Sequence, residues 1–352
     1  MNESELSWKQ VTNSIYHPSF NYKVLSPIKD FYTHTHISEF GFARRALYEG
    51  LKKLNLSAGF KVLLPSFICR DLLSPFHSLG IEIAFYNVTK DLKLACQVEE
   101  LPKANAILAI HWFGLETDLS PYITYCTLHQ AYLLEDNAHG LFSRGSSGKI
   151  LGETGDLGII SVRKTLPVYT GALLLLKEKP NGAWPPKKVI HIPLVFQLKK
   201  FLRPLIYLVG NRPLNFFVFI KRFLRQQLLG NKTPISTSED EFVLPDNFID
   251  KGTGSYCQKV DFHWEIQRRR ELYLQLHEKL KDMPIEILKK ELGQFEVPYC
   301  FPFYCSDENF NKVERHIKKQ GLEIVKWPAL PQAVINVAPQ YYQQFYFIKF
   351  LW

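Results

Sequence analysis

The stretch AYLLEDNAHG, residues 131–140, places an apolar run of strand length directly before a cluster of polar side chains. Three further apolar runs of this length occupy residues 61–64, 106–110 and 157–160. Each run is apolar at both odd and even positions, which is typical of strands buried on both faces of a sheet. Helix-length segments lie between the runs, for example at 43–54 and 71–79. This alternation predicts an α/β fold with a mostly parallel sheet covered by helices.

The length of 352 residues exceeds what one small core needs and predicts a large domain followed by a smaller one. The pattern changes near residue 245, where the loop-like sequence KGTGSY precedes an amphipathic helical pattern at 265–281. The sequence VERHIKKQGLEIV, residues 313–325, is typical of a helix followed by a strand. We therefore predict a large domain at 1–245 and a small α+β domain at 246–352.

The composition excludes several classes of protein. The N-terminal sequence is polar and has no apolar segment of the kind a secretory signal needs. The longest uncharged stretch, residues 327–348, contains three prolines and is not typical of a membrane span. The six cysteines have no paired CxxC spacing, which argues against a zinc ribbon or a disulfide framework and for reduced thiols in a cytoplasm.

The net charge of +9 is concentrated in one segment. Between Glu178 and Glu239 there are eleven lysines and arginines and no acidic residue. We predict a basic helical insertion at about 183–232 and no nucleic-acid binding, because a nucleic-acid protein would distribute its charge more widely. Two interpretations stay open. The helices pack on the large domain or across a dimer with basic faces in solvent, or an amphipathic surface at 187–225 contacts an anionic membrane.

All four predicted strands end in polar residues. The sequences that follow them are SFIC (66–69), HWFG (111–114), EDNAH (135–139) and SVRK (161–164). Ligands of open α/β sheets bind beyond the carboxyl ends of the strands, so we expect these side chains to share one site. His34 and His36 have no third ligand nearby in the sequence, and a metal centre is not predicted.

A lysine, an aspartate and a serine without a set of metal ligands suit pyridoxal 5′-phosphate (PLP). The amine of Lys164 would form a Schiff base with the cofactor and then carry protons at the substrate carbon. The carboxylate of Asp136 would keep the pyridine nitrogen protonated through a charge-assisted hydrogen bond. Ser161 would donate to the phosphate, which the helix N-terminus at Ala43 and Arg44 would also bind.

Three segments resemble a known family. LLEDNAHG (133–140) resembles the signature E-D-x-A-[QH], GDLGIISVRKTLPVYTGA (155–172) resembles G-D-x-G…S…K…G-[GA], and IHWFG (110–114) resembles H-x-x-G. These signatures are those of the DegT/StrS type of PLP-dependent sugar aminotransferases, which have the fold type I scaffold. The resemblance covers residues 40–176 well and the helix around 268–273 more weakly.

The resemblance implies a role for each of several residues. Lys164 would be the Schiff-base lysine, Asp136 the partner of the pyridine nitrogen, Ser161 a phosphate ligand, Ala138 a residue that packs on the ring, and His139 a neighbour of the cofactor's 3-hydroxyl. By spacing, Cys69 stands where the family has an aromatic residue over the ring, with Phe67 close by. The resemblance also implies a keto-sugar substrate linked to a nucleotide, an amino donor such as glutamate, and a homodimer with shared sites.

The sequence also departs from the family. Phe42, Ala43 and Arg44 stand in place of S-G-T, and the loop from Asp156 to Lys164 is about two residues shorter than usual. The G-Y-N-Y-R segment has no clear match beyond Asn247, and relatives commonly continue past FYFIKFLW. An alternative therefore stays open, a PLP-fold protein without catalysis that acts as a binding or regulatory partner in a surface-polysaccharide pathway. Lys164 argues against a dehydratase, because the family's sugar dehydratases have histidine there.

Overall fold

The computed structural model describes residues 36–166, 168–191, 237–257, 260, 262–320 and 322–350. Most of the basic insertion predicted at 183–232 lies outside these residues, as does most of the segment at 187–225 proposed to contact a membrane. Among the described residues, no helix combines the length and apolar character that a membrane crossing requires.

The larger sheet has seven strands. They are β1 (His36–Phe40), β2 (Lys61–Pro65), β3 (Glu82–Tyr86), β4 (Ala106–Ile110), β5 (Tyr132–Asn137), β6 (Leu157–Ser161) and β7 (Ala172–Leu176). Their order across the sheet is β1-β7-β6-β5-β4-β2-β3. The five strands β6, β5, β4, β2 and β3 each pair in parallel with their neighbours within this set. Strand β7 is antiparallel to both of its neighbours, β1 and β6. All four strands predicted from the sequence are present, and the prediction of a mostly parallel sheet is confirmed.

Within the described residues, the α-helices that accompany this sheet are α1 (Ala43–Lys53), α2 (Ser74–Ser78), α3 (Ser120–His129) and α4 (Val162–Thr165). In α1, good helix formers carry an apolar face that includes the buried Leu47 and Leu51, and two lysines in the last turn favour the negative end of the helix dipole. Glycine inside a helix costs about 1 kcal/mol relative to alanine. At Gly50, however, a Cβ atom would lie 2.4 Å from Leu157 Cδ1, so this glycine lets α1 approach β6 closely.

A second, smaller sheet forms near the C-terminus. The other α-helices and strands of the described residues are β8 (Lys188–Ile190), β9 (Phe248–Asp250), α5 (Lys251–Cys257), α6 (Phe262–Leu280), β10 (Glu286–Ile287), β11 (Cys300–Tyr304), α7 (Asp307–Lys319), β12 (Ile324–Lys326) and β13 (Phe345–Lys349). Strands β8 and β9 form a parallel pair, and the second sheet has the antiparallel order β10-β11-β13-β12. The core shared by α6, α7 and this sheet includes Tyr273, Leu280, Phe301 and Ile317.

The predicted helix at 265–281 corresponds to α6, and the helix and strand predicted at 313–325 correspond to α7 and β12. The interpretation of KGTGSY as a loop was wrong, because these residues form α5. A tertiary contact outweighs the low helix propensity of the two glycines. Thr253 Oγ1 donates to the carbonyl of Thr170 at 3.1 Å and lies 3.3 Å from Asp250 Oδ2. The boundary placed at residue 245 stays a prediction.

Candidate active site

The carboxyl ends of β2, β4, β5 and β6 meet at one edge of the larger sheet, and Lys164 lies there on the single turn of α4. The backbone around this turn is fixed from both sides. The carbonyl of Gly171 accepts the N–H of Val162 at 3.0 Å, and the N–H of Gly171 donates to the carbonyl of Gly41 at 2.8 Å. Gly171 has a φ of 132°, which a residue with a side chain rarely adopts, and this conformation lets the chain return as β7.

Lys164 contacts His139 directly, with 3.1 Å between Nζ and the histidine Nε2. The other ring nitrogen, Nδ1, accepts the backbone N–H of Phe113 at 3.3 Å. The imidazole is held between two nearly parallel aromatic rings, that of Phe113 at 5.6 Å and that of Tyr299 at 4.7 Å. Phe113 has a φ of 60°, an unfavourable conformation for a bulky residue, and such strain is typical of functional sites.

Asp136 and Lys164 are buried close enough for the charge of each to affect the pKa of the other. Burial raises the pKa of Asp136, and the nearby Lys164 acts in the opposite direction. Burial likewise lowers the pKa of Lys164, opposed first by Asp136 and then by Cys69. The Oδ1 atom of Asp136 accepts the N–H of Ala138 at 2.8 Å, and among the described residues this is the only hydrogen bond to that carboxylate. One carboxylate oxygen therefore remains available to a ligand.

Two residues predicted from the spacing after β2 differ in their surroundings. Cys69 lies near Lys164, with its Sγ 3.7 Å from Asp71 Oδ1, and burial raises the pKa of its thiol to about 11. The side chain is therefore a neutral thiol near neutral pH, not a nucleophile. Phe67 is fully buried in an aromatic cluster, where its ring lies 5.0 Å from that of Trp327 and 4.6 Å from that of Tyr342.

The residues predicted to bind a phosphate lie on two elements that reach the same edge. Ser161 is buried at the N-cap of α4, and its hydroxyl makes no capping hydrogen bond to that turn. Ala43 begins α1, whose N-cap residue Phe42 provides no side-chain hydrogen bond to the first N–H groups. The guanidinium of Arg44 donates to the carbonyl of Val243 at 3.0 Å, on the surface. The pKa of Arg163 is lowered mainly by burial and next by the positive charge of Arg44. The two guanidinium groups therefore lie near each other.

These residues fit PLP. A carboxylate with an unused oxygen suits a protonated pyridine nitrogen, and a lysine lies beside it. A serine hydroxyl that does not cap its own helix and a helix N-terminus without a side-chain cap suit a phosphate. Among the described residues, no group of three or more histidine, cysteine or acidic side chains could hold a metal ion.

Sequence reasoning did not identify the role of Glu135, which supports the site from behind. Its carboxylate accepts hydrogen bonds from His111 Nε2 at 2.8 Å, from the N–H of Gly152 at 3.1 Å, from that of Thr154 at 2.7 Å and from that of Gly155. It thereby joins β4, β5 and the loop that leads into β6. The signal in the sequence was a glutamate directly after an apolar run, where a charge needs several partners to be buried.

Sequence reasoning also missed Arg269 of α6, which is fully buried. Its guanidinium pairs with Glu265 at 2.7 Å, donates to the carbonyl of Thr165 at 2.7 Å and donates to that of Tyr299 at 3.1 Å. One side chain thus connects the residue after Lys164 with the residue that stacks on His139. The spacing of Glu265 and Arg269, four apart on a predicted helix, was the available signal.

The fold, a mostly parallel sheet with helices and a small antiparallel sheet near the C-terminus, is that of PLP-dependent aminotransferases of fold type I. Residues 26–172 match the sequence model of the DegT/DnrJ/EryC1/StrS aminotransferase family. The resemblance inferred from the motifs is confirmed, and with it the class of enzyme, an aminotransferase, and its cofactor, PLP.

Solved structures with the same fold span nearly the whole chain. PseC of Helicobacter pylori, an aminotransferase involved in the biosynthesis of pseudoaminic acid, is 14% identical, with a TM-score of 0.62 over 99% of this chain and 91% of that one. The aminotransferase TlmJ of Streptoalloteichus hindustanus is 14% identical, with a TM-score of 0.60 over 99% and 91%. The GDP-4-keto-6-deoxy-D-mannose-3-dehydratase of E. coli, with bound hydrated PLP, is 12% identical, with a TM-score of 0.58 over 99% and 92%. No curated protein matches the chain significantly.

Proposed function

We propose that the protein transfers an amino group from a donor such as glutamate to a keto-sugar linked to a nucleotide. The observation that supports this most strongly is the contact of Lys164 with His139, in the same buried environment as Asp136. Asp136 and His139 lie at the end of β5 and Lys164 follows β6, so all three are at the edge of the sheet where this fold binds ligands. The product would serve the biosynthesis of a surface polysaccharide or a glycoside.

Each residue has a distinct task in this proposal. PLP, when bound, supplies an electron-withdrawing ring that stabilises negative charge on the substrate carbon. Lys164, whose burial lowers its pKa, is suited to take a proton from that carbon and return it to a neighbouring atom. Asp136 would accept a hydrogen bond from the pyridine nitrogen and keep it protonated. Ser161 and the N-terminus of α1 at Ala43 would bind the phosphate.

The sugar substrate is supported by chemistry and by the relatives. PseC is described as an enzyme of pseudoaminic acid biosynthesis, and the E. coli dehydratase acts on a keto-sugar carried by GDP. A nucleotide-linked sugar is anionic, and the basic residues between 179 and 232 would raise its local concentration by electrostatic attraction. We further propose a cytoplasmic homodimer, and keep peripheral membrane contact through 187–225 as part of the hypothesis.

An absorption spectrum tests the cofactor part of the proposal. Protein incubated with PLP and then desalted should show a visible or near-ultraviolet band that changes when glutamate is added. Lys164→Ala should lose the band, whereas the control Lys177→Ala, a change of an exposed lysine, should keep it. Absence of the band from the unmodified protein would instead favour the alternative of a non-catalytic binding partner.

Three further measurements test the proposed substrate, the proposed homodimer and the proposed membrane contact. The glutamate-loaded enzyme should convert a nucleotide-linked keto-sugar, but not its alcohol counterpart, into an amino sugar detected by mass spectrometry. Light scattering should give the mass of two chains. Co-sedimentation with anionic liposomes should decrease as salt rises if the basic segment binds a membrane, and its absence at low salt would remove the membrane hypothesis.

A further inference from the structure

The hydrogen bonds of His139 determine where its hydrogen lies. A neutral imidazole has one N–H and one nitrogen with a lone pair. The Nδ1 atom accepts the backbone N–H of Phe113 at 3.3 Å, so its lone pair is used there. The hydrogen must therefore be on Nε2, the atom 3.1 Å from Lys164 Nζ. An imidazolium is excluded by the same contact, because both of its nitrogens would carry hydrogen.

An N–H that points at Lys164 needs a lone pair on the lysine nitrogen. An ammonium group has three hydrogens and no lone pair, so it would place a hydrogen against the hydrogen of the imidazole. A neutral amine accepts the hydrogen bond without conflict. We infer that His139, in the tautomer with its hydrogen on Nε2, donates to Lys164 and holds this amine unprotonated in the cofactor-free protein. This inference deepens the proposed function, since it concerns the same lysine.

The surroundings of the histidine prevent the opposite arrangement. The ring is held between Phe113, at an interplanar angle of 7°, and Tyr299, at 14°. A ring flip would move Nδ1 away from the N–H of Phe113 and leave that donor unpaired inside the protein. Burial, and next the charge of Lys164, lower the pKa of His139 well below its ordinary value, in agreement with a neutral ring.

The other titratable groups that face Lys164 divide into two sets. Asp136 and Asp71 favour the ammonium form, and so does Cys69 where it ionises. Burial and the guanidinium of Arg163 favour the neutral amine. The hydrogen bond from His139 adds to the second set, and the net effect is a pKa of Lys164 below its ordinary value. An amine with a free lone pair is the form that attacks a carbonyl carbon, so the protein would be prepared for the aldehyde of PLP.

Nuclear magnetic resonance of the cofactor-free protein tests the inference without relying on activity. Histidine 15N shifts separate a nitrogen that carries hydrogen from one that does not, and at pH 7.5 His139 should show hydrogen on Nε2 alone. Lysine labelled with 13C at Cε reports protonation, and Lys164→Arg identifies its signal. An imidazolium, a hydrogen on Nδ1, or a fully protonated Lys164 at this pH would overturn the inference.

Two substitutions of His139 separate the effect of its hydrogen-bond donor on Lys164 from the effect of its stacked ring. His139→Phe keeps an aromatic ring between Phe113 and Tyr299 but removes the donor. The ratio of unprotonated to protonated Lys164 should then fall roughly three- to tenfold, as loss of one hydrogen bond predicts, and the unprotonated fraction falls with it. His139→Gln restores a donor and should recover most of that fraction. His316→Phe, on the exposed face of α7, is the control. Equal fractions in the wild type and His139→Phe would contradict the inference, whereas loss of the PLP absorption band alone would contradict only the proposed function.

Discussion

Replacing Arg269 by alanine is expected to destabilise the protein more than any loss of a surface ion pair. The guanidinium is fully buried and bonds to Glu265 and to the carbonyls of Thr165 and Tyr299. Removing one partner of a buried pair costs about 3–5 kcal/mol, because a charge is left buried without compensation. Here Arg268 still pairs with Glu265, at 2.9 and 2.8 Å, so we expect the lower half of that range.

The assay is urea unfolding followed by circular dichroism, with Arg269→Ala compared to Lys318→Ala. Lys318 pairs with Glu314 at the same i,i+4 spacing and at 2.7 Å, but more than half of its side chain is exposed, at 54%. Loss of that surface pair should change the free energy of unfolding by less than about 1 kcal/mol. If the two variants lose the same stability, the argument from burial is refuted. Arg269→Ala should also weaken PLP binding, because the carbonyl of Thr165 then loses its anchor.

Three other outcomes follow from the structure. Asp136→Asn keeps the shape of the side chain but removes its charge, so PLP affinity in a fluorescence titration should fall at least about tenfold, as loss of a charge-assisted hydrogen bond predicts. Gly158→Ala places a Cβ 1.9 Å from the carbonyl oxygen of Gly152 and should cost about 1–3 kcal/mol in urea unfolding. Gly254→Ala, inside α5 and with open space around it, should instead stabilise the protein by up to about 1 kcal/mol. The third outcome concerns pH. Burial raises the pKa of Glu265, but the charges of Arg269 and Arg268 lower it by more, so the net pKa in the folded protein is below 4.5. As the pH falls, Glu265 is therefore protonated in the unfolded chain before it is protonated in the folded protein. The stabilisation by the ionised Glu265 is therefore complete above about pH 4.5 and should be lost as the pH falls below that value. A free energy of unfolding that does not change between about pH 5 and 3 would contradict the lowered pKa.

Most of the parallel part of the sheet could be predicted because four of its strands contain runs that are apolar at both odd and even positions, as burial on both faces requires. The pairing of β1 with β7 could not. It depends on an antiparallel register, with His36 opposite Leu176, between segments far apart in the chain. The helix α5 was missed for a related reason, since its glycines oppose a helix and the contact of Thr253 with Thr170 stabilises it.

The part of the candidate site that could be predicted lies directly after strands. Lys164, Asp136 and His139 each follow an apolar run within a few residues, and local spacing was sufficient to propose them. The contributions of Arg269 and Tyr299 come from residues more than 100 positions beyond Lys164. Their contacts depend on how α6 and the strand after Tyr299 pack on the larger sheet, and this information is not present in any local pattern.

The stacking of Tyr299 on His139 has a consequence for protein engineering. In a chimera whose C-terminal third comes from a relative with a non-aromatic residue at this position, the imidazole would lose one of its two flanking rings. The graft would need to retain a flat aromatic group at 299 and a guanidinium at 269, so that the recipient's lysine turn keeps its anchor.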